Sequence, residues 1–486
     1  MEWSKLLSTK RISGKKATHR NEFDDDYKRI VTSPAFRRLQ DKTQVFPLER
    51  LDFIHTRLTH SLEVAMVARS LAKEIVILLQ EEVKKQPDSS RQEMIDRQED
   101  VLKIVECASL VHDIGNPPYG HFGEDIIRQW FKKNLPNILR ERSDVADEFL
   151  SSPYVNDFYR FEGNAQSLRI VSKLHDFKGK FEGLDLTVAT LNTILKYTYP
   201  SSYKKTKEIT SKKVGYFYSE EDAFKTVTEI TGTGTNRHPL TFILEAADDI
   251  AYLVADMEDA IGKGVISFRD VREFLLANLS NDAYNAPHSV HTREILTTID
   301  EEVFSVNRFF VDLRDKLIDG ARHNFVNHYD EIMEGTFNQD LFKNSWAEDL
   351  YFILRKLSEE QIYDHKGILR LEIAGYTTLT YLLDSFVPSL VAYDTNRQLD
   401  YVELKKIGII SESQRRSYHY FAKGKSEVEK LYLRLLLATD FISGMTDSYS
   451  HRLYLDMVGI EISKKDHIWS LSAQYKKRVP LMKLLH

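Results

Sequence analysis

Two histidines and two aspartates of this chain have the residue types and positions expected of ligands for one divalent cation. His60 lies four residues before Val64, so its imidazole faces the apolar side of a helical pattern. His112 lies four residues after Ala108 and faces inward in the same way. Asp113 follows, and burying an unpaired carboxylate is costly unless a cation or donors surround it. A lone histidine on an apolar face is more often a hydrogen-bonded core residue, but one bound cation would satisfy all three side chains.

The stretch LEAADDIAYLVADMEDA (244–260) supplies the fourth candidate ligand. Asp248, Tyr252 and Asp256 are spaced by four and line one helical face, whereas Asp249 points about 100° away. Asp248 is therefore the better inward-facing candidate. Two imidazoles with two carboxylates suit Mn²⁺, Fe, Co²⁺ or Ni²⁺ better than an all-oxygen Mg²⁺ cage, although Mg²⁺ remains a candidate.

A second group of interest, His121 and Glu124, follows the turn Gly-Asn-Pro-Pro at 115–118. The two residues are three apart at the start of a helix, so they are neighbours on one face. Glu124 can orient the imidazole of His121, and a histidine exchanges protons near neutral pH. An ordinary surface pair is the alternative, but the tight turn after the adjacent His112 and Asp113 favours a proton-transfer pair.

The elements that must position these residues are mainly helices. Gly and Pro number only 20 and 12 among 486 residues, which indicates few turns. Apolar residues recur at helical spacing, for example at Leu58, Leu62, Ala65, Ala72, Ile75 and Leu79. We therefore predict an all-α fold. The segment 199–238, rich in Thr, Lys, Tyr and Gly, is the least helical and is compatible with a small β-hairpin or a flap.

Charge and composition restrict the class of protein. The formal net charge of −6 gives no global attraction to nucleic acid or to anionic membranes. The single cysteine, Cys107, allows no internal disulfide, which fits a reducing compartment. The first residues lack the apolar core of a signal peptide, and we find no apolar run of about 18 residues. The expectation is a soluble cytoplasmic protein.

Longer strings of the sequence indicate which protein family the chain resembles. They are FRRLQDKTQVFPLE (36–49), TRLTHSLEV (56–64), HDIGNPPYGHFGE (112–124), FEGNAQSLRI (161–170), LEAADDIAYLVADMEDA (244–260), EIAGYTTLTYLLDSF (372–386) and DFISGMTD (440–447). In this order they resemble the bacterial deoxyguanosine triphosphate triphosphohydrolases (dGTPases), a family of HD-domain phosphohydrolases. The resemblance implies cleavage of a dNTP, most readily dGTP, to the deoxynucleoside and inorganic tripolyphosphate. It also implies an HD-type core, placed at 1–265, and a C-terminal helical region, placed at 266–486, that completes the nucleotide pocket and the oligomer contacts.

The resemblance assigns roles to the candidates. It implies that His60, His112, Asp113 and Asp248 hold one metal ion, Mn²⁺ or Mg²⁺, and that His121 and Glu124 transfer protons. A triphosphate carries about four negative charges, so further cations are needed. Contacts with the phosphates are implied for Arg57, Lys196 and Tyr197.

Four further residues are candidates for recognition of the nucleoside. In the resembling enzymes the positions of Gln44 and Asp256 hydrogen-bond the 3′-hydroxyl, and that of Tyr252 packs against the 2′-carbon, which rejects ribonucleotides. Glu372 is a candidate acceptor for the guanine edge. A helix-capping or salt-bridged role is the alternative for Glu372.

Two other functions stay open at this point. One is an HD phosphohydrolase of different specificity, acting on several dNTPs, monophosphates, cyclic nucleotides or an alarmone. The other is a regulator that binds nucleotides or single-stranded DNA through the basic clusters at 202–208, 413–420 and 474–480. The family resemblance also implies a homo-oligomer, often a hexamer.

Overall fold

The computed structural model describes residues 1–15, 21–46, 48, 53–142, 144–177, 179–279 and 306–460. The basic cluster at 474–480 lies outside these described residues. The helices before residue 280 are α1 (Trp3–Leu6), α2 (Glu22–Val31), α3 (Pro34–Arg38), α4 (Arg57–Lys85), α5 (Ser89–Asp96), α6 (Gln98–Val111), α7 (Gly120–Ile138), α8 (Ala146–Ser151), α9 (Val155–Tyr159), α10 (Gly163–Lys173), α11 (Val188–Thr193), α12 (Glu221–Thr231), α13 (Pro239–Gly262) and α14 (Phe268–Leu279).

The later helices are α15 (Val306–Asn327), α16 (Tyr329–Glu334), α17 (Glu348–Leu357), α18 (Lys366–Ala392), α19 (Tyr401–Ile409), α20 (Glu412–Ala422), α21 (Glu427–Ser443) and α22 (Asp447–Met457). Short 3₁₀ turns cover Leu39–Asp41, Leu139–Arg142, Ile209–Ser211 and Tyr218–Glu220, and a π-helical segment covers Ser358–Tyr363. The predicted all-α class is confirmed. Within the described residues, no helix combines the length and the apolarity that a membrane crossing requires.

The predicted hairpin region is corrected by the structure. The two-stranded antiparallel hairpin pairs β1 (Asp176–Phe177) with β2 (Lys180–Phe181), outside 199–238. Its turn is stabilised by Gly179, whose N–H donates to the Asp176 carboxylate at 2.7 Å. The segment 199–238 instead holds α12, two 3₁₀ turns and an isolated bridge between Pro200 and Tyr216. It is held by long-range contacts, because Arg160 donates to the Ser201 carbonyl at 2.6 Å.

Helix α4 presents His60 in its first turn. Thr56 and Thr59 form a reciprocal capping box that fixes the helix start. Val64 and the side chains at helical spacing after it are buried, so the prediction that His60 shares their face is confirmed. Leu62 is 50% exposed, because it lies two residues, about 200°, from Val64 around the helix. The predicted stripe through Leu62 is therefore wrong at that position.

Helices α4, α6 and α13 pack against one another in the centre of the first apolar core. Helix α6 carries Cys107, which is completely buried and donates its S–H to the Phe23 carbonyl at 3.5 Å. Burial raises the pKa of the Cys107 thiol well above its usual value. The inner faces of these three helices are therefore fixed by close packing, which holds the residues at their ends in place.

A second apolar core joins α7–α9 to α18, α20 and α21. Each core draws residues from both sides of residue 265. A buried ion pair, Arg169 with Asp440 at 2.7 Å, connects α10 to the end of α21. The domain boundary at residue 265 stays a prediction.

Candidate active site

The structure brings three of the four predicted metal ligands together. His60 Nε2 lies 3.1 Å from Asp248 Oδ1, and His112 Nε2 lies 3.3 Å from the same oxygen. One ligand atom from each residue falls within 4.8 Å of the others. The two imidazole rings meet edge to face with centroids 5.5 Å apart. This grouping joins the first turn of α4, the end of α6 and the middle of α13.

The donor atoms of this group fit a divalent cation. His112 Nδ1–H donates to the Ser109 carbonyl at 2.7 Å, which leaves Nε2 turned toward His60 and Asp248. His112 Nε2 is buried and makes no hydrogen bond to any described residue. A buried nitrogen lone pair that faces a second imidazole and a carboxylate is what a cation of the Mn²⁺ type requires.

Asp113 lies beside the group but is engaged on both oxygens. Arg57 forms an ion pair with Oδ2, and the Asn116 amide donates to Oδ1 at 2.7 Å. Oδ1 is 3.5 Å from His112 Nε2. Burial raises the pKa of Asp113, but Arg57 and His112 outweigh burial and lower it overall. Asp113 is therefore an anion at neutral pH, and its role as a fourth ligand stays a prediction.

Lys196 completes the charge arrangement. Its ammonium group pairs with Asp248 Oδ2, and its carbonyl accepts from Arg237 Nε at 2.7 Å. Burial opposes ionisation of Asp248, but Lys196 and His112 hold the pKa of this carboxyl well below its usual range. Burial lowers the pKa of His112, whereas Asp113 and Asp248 raise it by more. Both predicted phosphate-binding cations, Arg57 and Lys196, thus lie at the edge of the metal-ligand group.

The predicted contact between His121 and Glu124 is formed. His121 Nδ1 lies 3.0 Å from Glu124 Oε2, and the other Glu124 oxygen accepts from the Gly163 N–H at 2.7 Å. Glu124 is buried, whereas the side chain of His121 is 70% exposed. Burial raises the pKa of Glu124, but the hydrogen bond and charge of His121 lower it overall. Glu124 can therefore orient an imidazole that remains accessible.

Tyr252 and Asp256 lie on the same helix as Asp248, one and two turns further along α13. Asp256 is buried, and Tyr363 donates its hydroxyl to Asp256 Oδ2 at 2.6 Å. Burial raises the pKa of Asp256 to about 7. Tyr363 ends the π-helical segment, a kind of irregularity that often accompanies functional sites. No spacing pattern pointed to Tyr363, because its partner lies 107 residues away.

The remaining predicted residues are placed without a direct contact to the metal-ligand group among the described interactions. Gln44 follows Thr43, which bridges to Thr56 at the start of α4, and its buried Nε2 has no hydrogen-bond partner among the described residues. Tyr197 is buried next to Lys196. Glu372 lies inside α18 rather than at its N-cap, and within the described residues it has no ion-pair partner. Both structural alternatives for Glu372 thereby lose support.

Sequence reasoning missed Lys42, although it lies inside one of the family strings. Its buried Nζ donates to the carbonyl of Asn116 in the turn after Asp113, and to that of Ser443 at 2.8 Å. Burial lowers the pKa of Lys42 to about 7. A buried lysine is identifiable only from its partners, which come from distant parts of the chain.

Comparisons with known proteins agree with this geometry. The HD domain family matches residues 57–193, a range that includes His60, His112 and Asp113. A deoxyguanosinetriphosphate triphosphohydrolase-like protein of Listeria monocytogenes is 43% identical over 474 residues, covering 95% of this chain and 100% of the relative. The deoxyguanosinetriphosphate triphosphohydrolase of Yersinia enterocolitica is 33% identical, covering 95% and 99%. That of Yersinia pseudotuberculosis is 34% identical, covering 90% and 94%. The chain therefore belongs to the dGTP triphosphohydrolase family of metal-dependent HD-domain phosphohydrolases.

Proposed function

We propose that this enzyme hydrolyses deoxynucleoside triphosphates, with dGTP as the preferred substrate, to the deoxynucleoside and tripolyphosphate. The observation that carries the proposal is the shared face of α13. Asp248 lies against both histidines, and Tyr252 and Asp256 continue along the same helix. A metal site for the α-phosphate therefore adjoins residues suited to a deoxyribose.

The residues that would hold the cation are His60, His112 and Asp248, with Asp113 as the fourth ligand. A bound divalent cation supplies a Lewis acid for a phosphate oxygen and lowers the pKa of water. Mn²⁺ suits the nitrogen and oxygen donors best, and Mg²⁺, Co²⁺, Ni²⁺ or Fe are alternatives.

Two cations of the chain neutralise the phosphates. Arg57 and Lys196 each pair with an acidic member of the site, Asp113 and Asp248. Both side chains are largely buried, so their charges are weakly screened by solvent. A triphosphate that enters the site would meet a guanidinium and an ammonium group that these carboxylates hold in place, which favours binding and stabilises the charge that develops in the transition state.

Proton transfer is assigned to His121. Its Nδ1 is held by Glu124, so Nε2 is free to donate a proton to the leaving 5′-oxygen. The exposure of the imidazole allows proton exchange with water between turnovers.

Selection of the sugar rests on Gln44, Tyr252 and Asp256. The buried amide nitrogen of Gln44 lacks a partner among the described residues, and the 3′-hydroxyl would supply an acceptor. Tyr252 offers a ring that leaves no room for a 2′-hydroxyl. We assign Glu372 to the guanine edge, because its carboxylate can accept from the guanine N1–H and N2 amino group, and Tyr197 to the phosphates on the family resemblance.

Product analysis tests this function. The purified enzyme is incubated with each of the four dNTPs and with GTP, in Mn²⁺ or Mg²⁺, and products are separated by chromatography. We expect deoxyguanosine and tripolyphosphate from dGTP, and no turnover of GTP. His121→Gln should lower kcat at least about 100-fold, whereas His323→Gln, on α15, should not. Orthophosphate or pyrophosphate as the first product would contradict the proposal and indicate a different HD phosphohydrolase.

Assembly and location are part of the same proposal. We expect a homo-oligomer, with a hexamer as the first assembly to test by light scattering, and a cytoplasmic enzyme. The exposed lysines at 204, 205 and 207 are the surface to examine first for single-stranded DNA.

A further inference from the structure

Tyr119 joins the turn that follows Asp113 to helix α7, in an unfavourable backbone conformation. Its φ is +62°, in the left-handed region that residues with a Cβ rarely adopt. Tyr119 is nevertheless buried, and the next residues, Gly120 and His121, begin α7. Such a conformation persists only where surrounding contacts hold it.

One of these contacts comes from the first residue of α22. The Tyr119 N–H donates to Asp447 Oδ1 at 3.1 Å. Asp447 Oδ2 accepts from Thr43, from the N–H at 3.0 Å and from the hydroxyl at 2.6 Å. Asp447 is 1% exposed, so these bonds are shielded from water. The Asp447 carboxylate therefore connects the turn before α7 to Thr43 and to the start of α22.

The second contact comes from α18. A Cβ added to Gly375 would lie 2.9 Å from two atoms of the Tyr119 ring. Only a glycine at this position lets the ring lie directly against the helix. Gly375 and Asp447 belong to the strings EIAGYTTLTYLLDSF and DFISGMTD, and neither residue has a role in the proposed chemistry.

We call the contacts of Tyr119 with Asp447 and Gly375 the Tyr119 joint. The position of His121, two residues later, depends on this joint. Its side chain is 70% exposed and contacts Glu124 of the same helix, so its placement follows from this pair and from the backbone at the start of α7. Gly120 packs so closely on Arg57 that a Cβ would lie 2.6 Å from the guanidinium. A small displacement of Tyr119 would therefore move the imidazole relative to Arg57.

We infer that Tyr119 is a positioning residue through which Gly375 and Asp447 of the C-terminal helices hold His121 over the metal-ligand group. The catalytic part of this inference rests on the proposed function. His60, His112 and Asp248 are carried by other helices and make none of the contacts described for Tyr119, so we expect these three residues to keep their places when those contacts are removed.

Two substitutions test the joint separately. Gly375→Ala pushes the Tyr119 ring away, and Asp447→Ala removes the acceptor of its N–H. For each we expect kcat to fall at least about tenfold, since displacements near 1 Å have effects of this size, while KM changes less than about threefold. Calorimetry should give an unchanged Mn²⁺ affinity. Gly408→Ala on α19 is the matched control, because a Cβ there meets no atom within 4 Å, and it should leave kcat unchanged.

A measurement without turnover separates this inference from the proposed function. In the Mg²⁺-loaded full-length protein, the imidazole NMR signal of His121, assigned with His121→Gln, should move in Gly375→Ala and Asp447→Ala but not in Gly408→Ala. An unmoved signal, or a loss of Mn²⁺ binding together with kcat, would overturn the inference. If the parent protein turns over no dNTP, the proposed function fails, and the NMR signal still decides whether the joint holds His121. If Gly375→Ala does not fold, Asp447→Ala provides the test.

Discussion

Two adjacent aspartates on α13 show how strongly the role of a residue depends on its direction. Asp248 lies against His60 and His112, whereas Asp249 accepts a hydrogen bond from the Tyr351 hydroxyl at 2.8 Å. Burial raises the pKa of Asp249 to about 8, so this carboxyl is mostly neutral at pH 7. Asp248 and Asp249 are the same residue type and lie side by side on α13, but they differ in charge state.

The pair therefore provides a matched test of the metal site. Asp248→Ala should lower Mn²⁺ affinity by more than about 100-fold and abolish turnover. Even residues that only hydrogen-bond to a metal ligand change metal affinity by about 10- to 100-fold when they are replaced. Asp249→Ala should retain at least part of the Mn²⁺ affinity and at least part of the turnover. Calorimetry measures the affinity, chromatography measures the products, and circular dichroism verifies folding. Equal losses in the two variants would show that Asp248 is not the ligand of α13.

Helical spacing predicts that His60, His112 and Asp248 face inward, because a regular helix fixes the direction of each side chain, and the three side chains lie together in the structure. It did not reveal that Arg57 and Lys196 pair with acidic members of the site. Their partners lie 56 and 52 residues away, and spacing within one helix carries no information about such distances.

At the scale of elements, a histidine connects two of the three helices that carry candidate metal ligands, α4 and α13. His55, just before α4, contacts Asp259 of α13 through Nδ1 at 2.7 Å and Glu63 of α4 through Nε2 at 3.0 Å. Both ring nitrogens thus face carboxylates, so both carry protons. The hydrogen bonds to Asp259 and Glu63 outweigh burial and raise the pKa of His55 to about 10.

This contact should make stability depend on pH. Because the pKa of His55 is higher in the folded than in the unfolded protein, its stabilisation is complete below about pH 6.5 and is lost as pH rises through about 10. Over that range the unfolding free energy of the parent protein should fall relative to His55→Gln, by at most about 1.4 kcal/mol per pH unit. Urea unfolding at several pH values measures it, with His323→Gln as the control. Parallel curves for His55→Gln and the parent would contradict the role of His55.

Helices were predictable as a class, but the small hairpin was not placed correctly. Its strands are two residues each, too short for an alternating pattern, and a single Asp176 to Gly179 hydrogen bond stabilises its turn. The segment 199–238 has a strand-like composition, yet its backbone carbonyl at Ser201 accepts from the side chain of Arg160, just after α9. Composition does not indicate which distant partner a loop will find.

At the scale of the whole molecule, a buried ion pair connects the two apolar cores. Arg169 on α10 is bidentate to Asp440 at the end of α21, at 2.8 and 2.7 Å, and also donates to Glu220 at 3.0 Å. Gln166 donates to the same aspartate at 2.9 Å. Periodicity predicts that helix faces turn inward, but it does not show that the chain would form two cores or where they would join.

Asp440→Ala should lower the free energy of unfolding by about 3 kcal/mol or more, because it removes the bidentate partner of a buried guanidinium. Lys430→Ala, which breaks the partly exposed Lys430 to Glu427 pair on α21, should cost less than about 1 kcal/mol. Urea unfolding followed by circular dichroism compares them. Similar losses would mean that the Arg169 to Asp440 pair contributes little to the junction of the cores.

The buried position of Cys107 has a practical consequence for spectroscopy. It is the only cysteine in the sequence, and its raised thiol pKa keeps the reactive thiolate scarce at neutral pH. A substitution such as Lys423→Cys, at an exposed site, would therefore be labelled by a maleimide fluorophore while Cys107 stays unmodified. Energy-transfer measurements with a labelled nucleotide can thus begin from the natural sequence, with no cysteine removed beforehand.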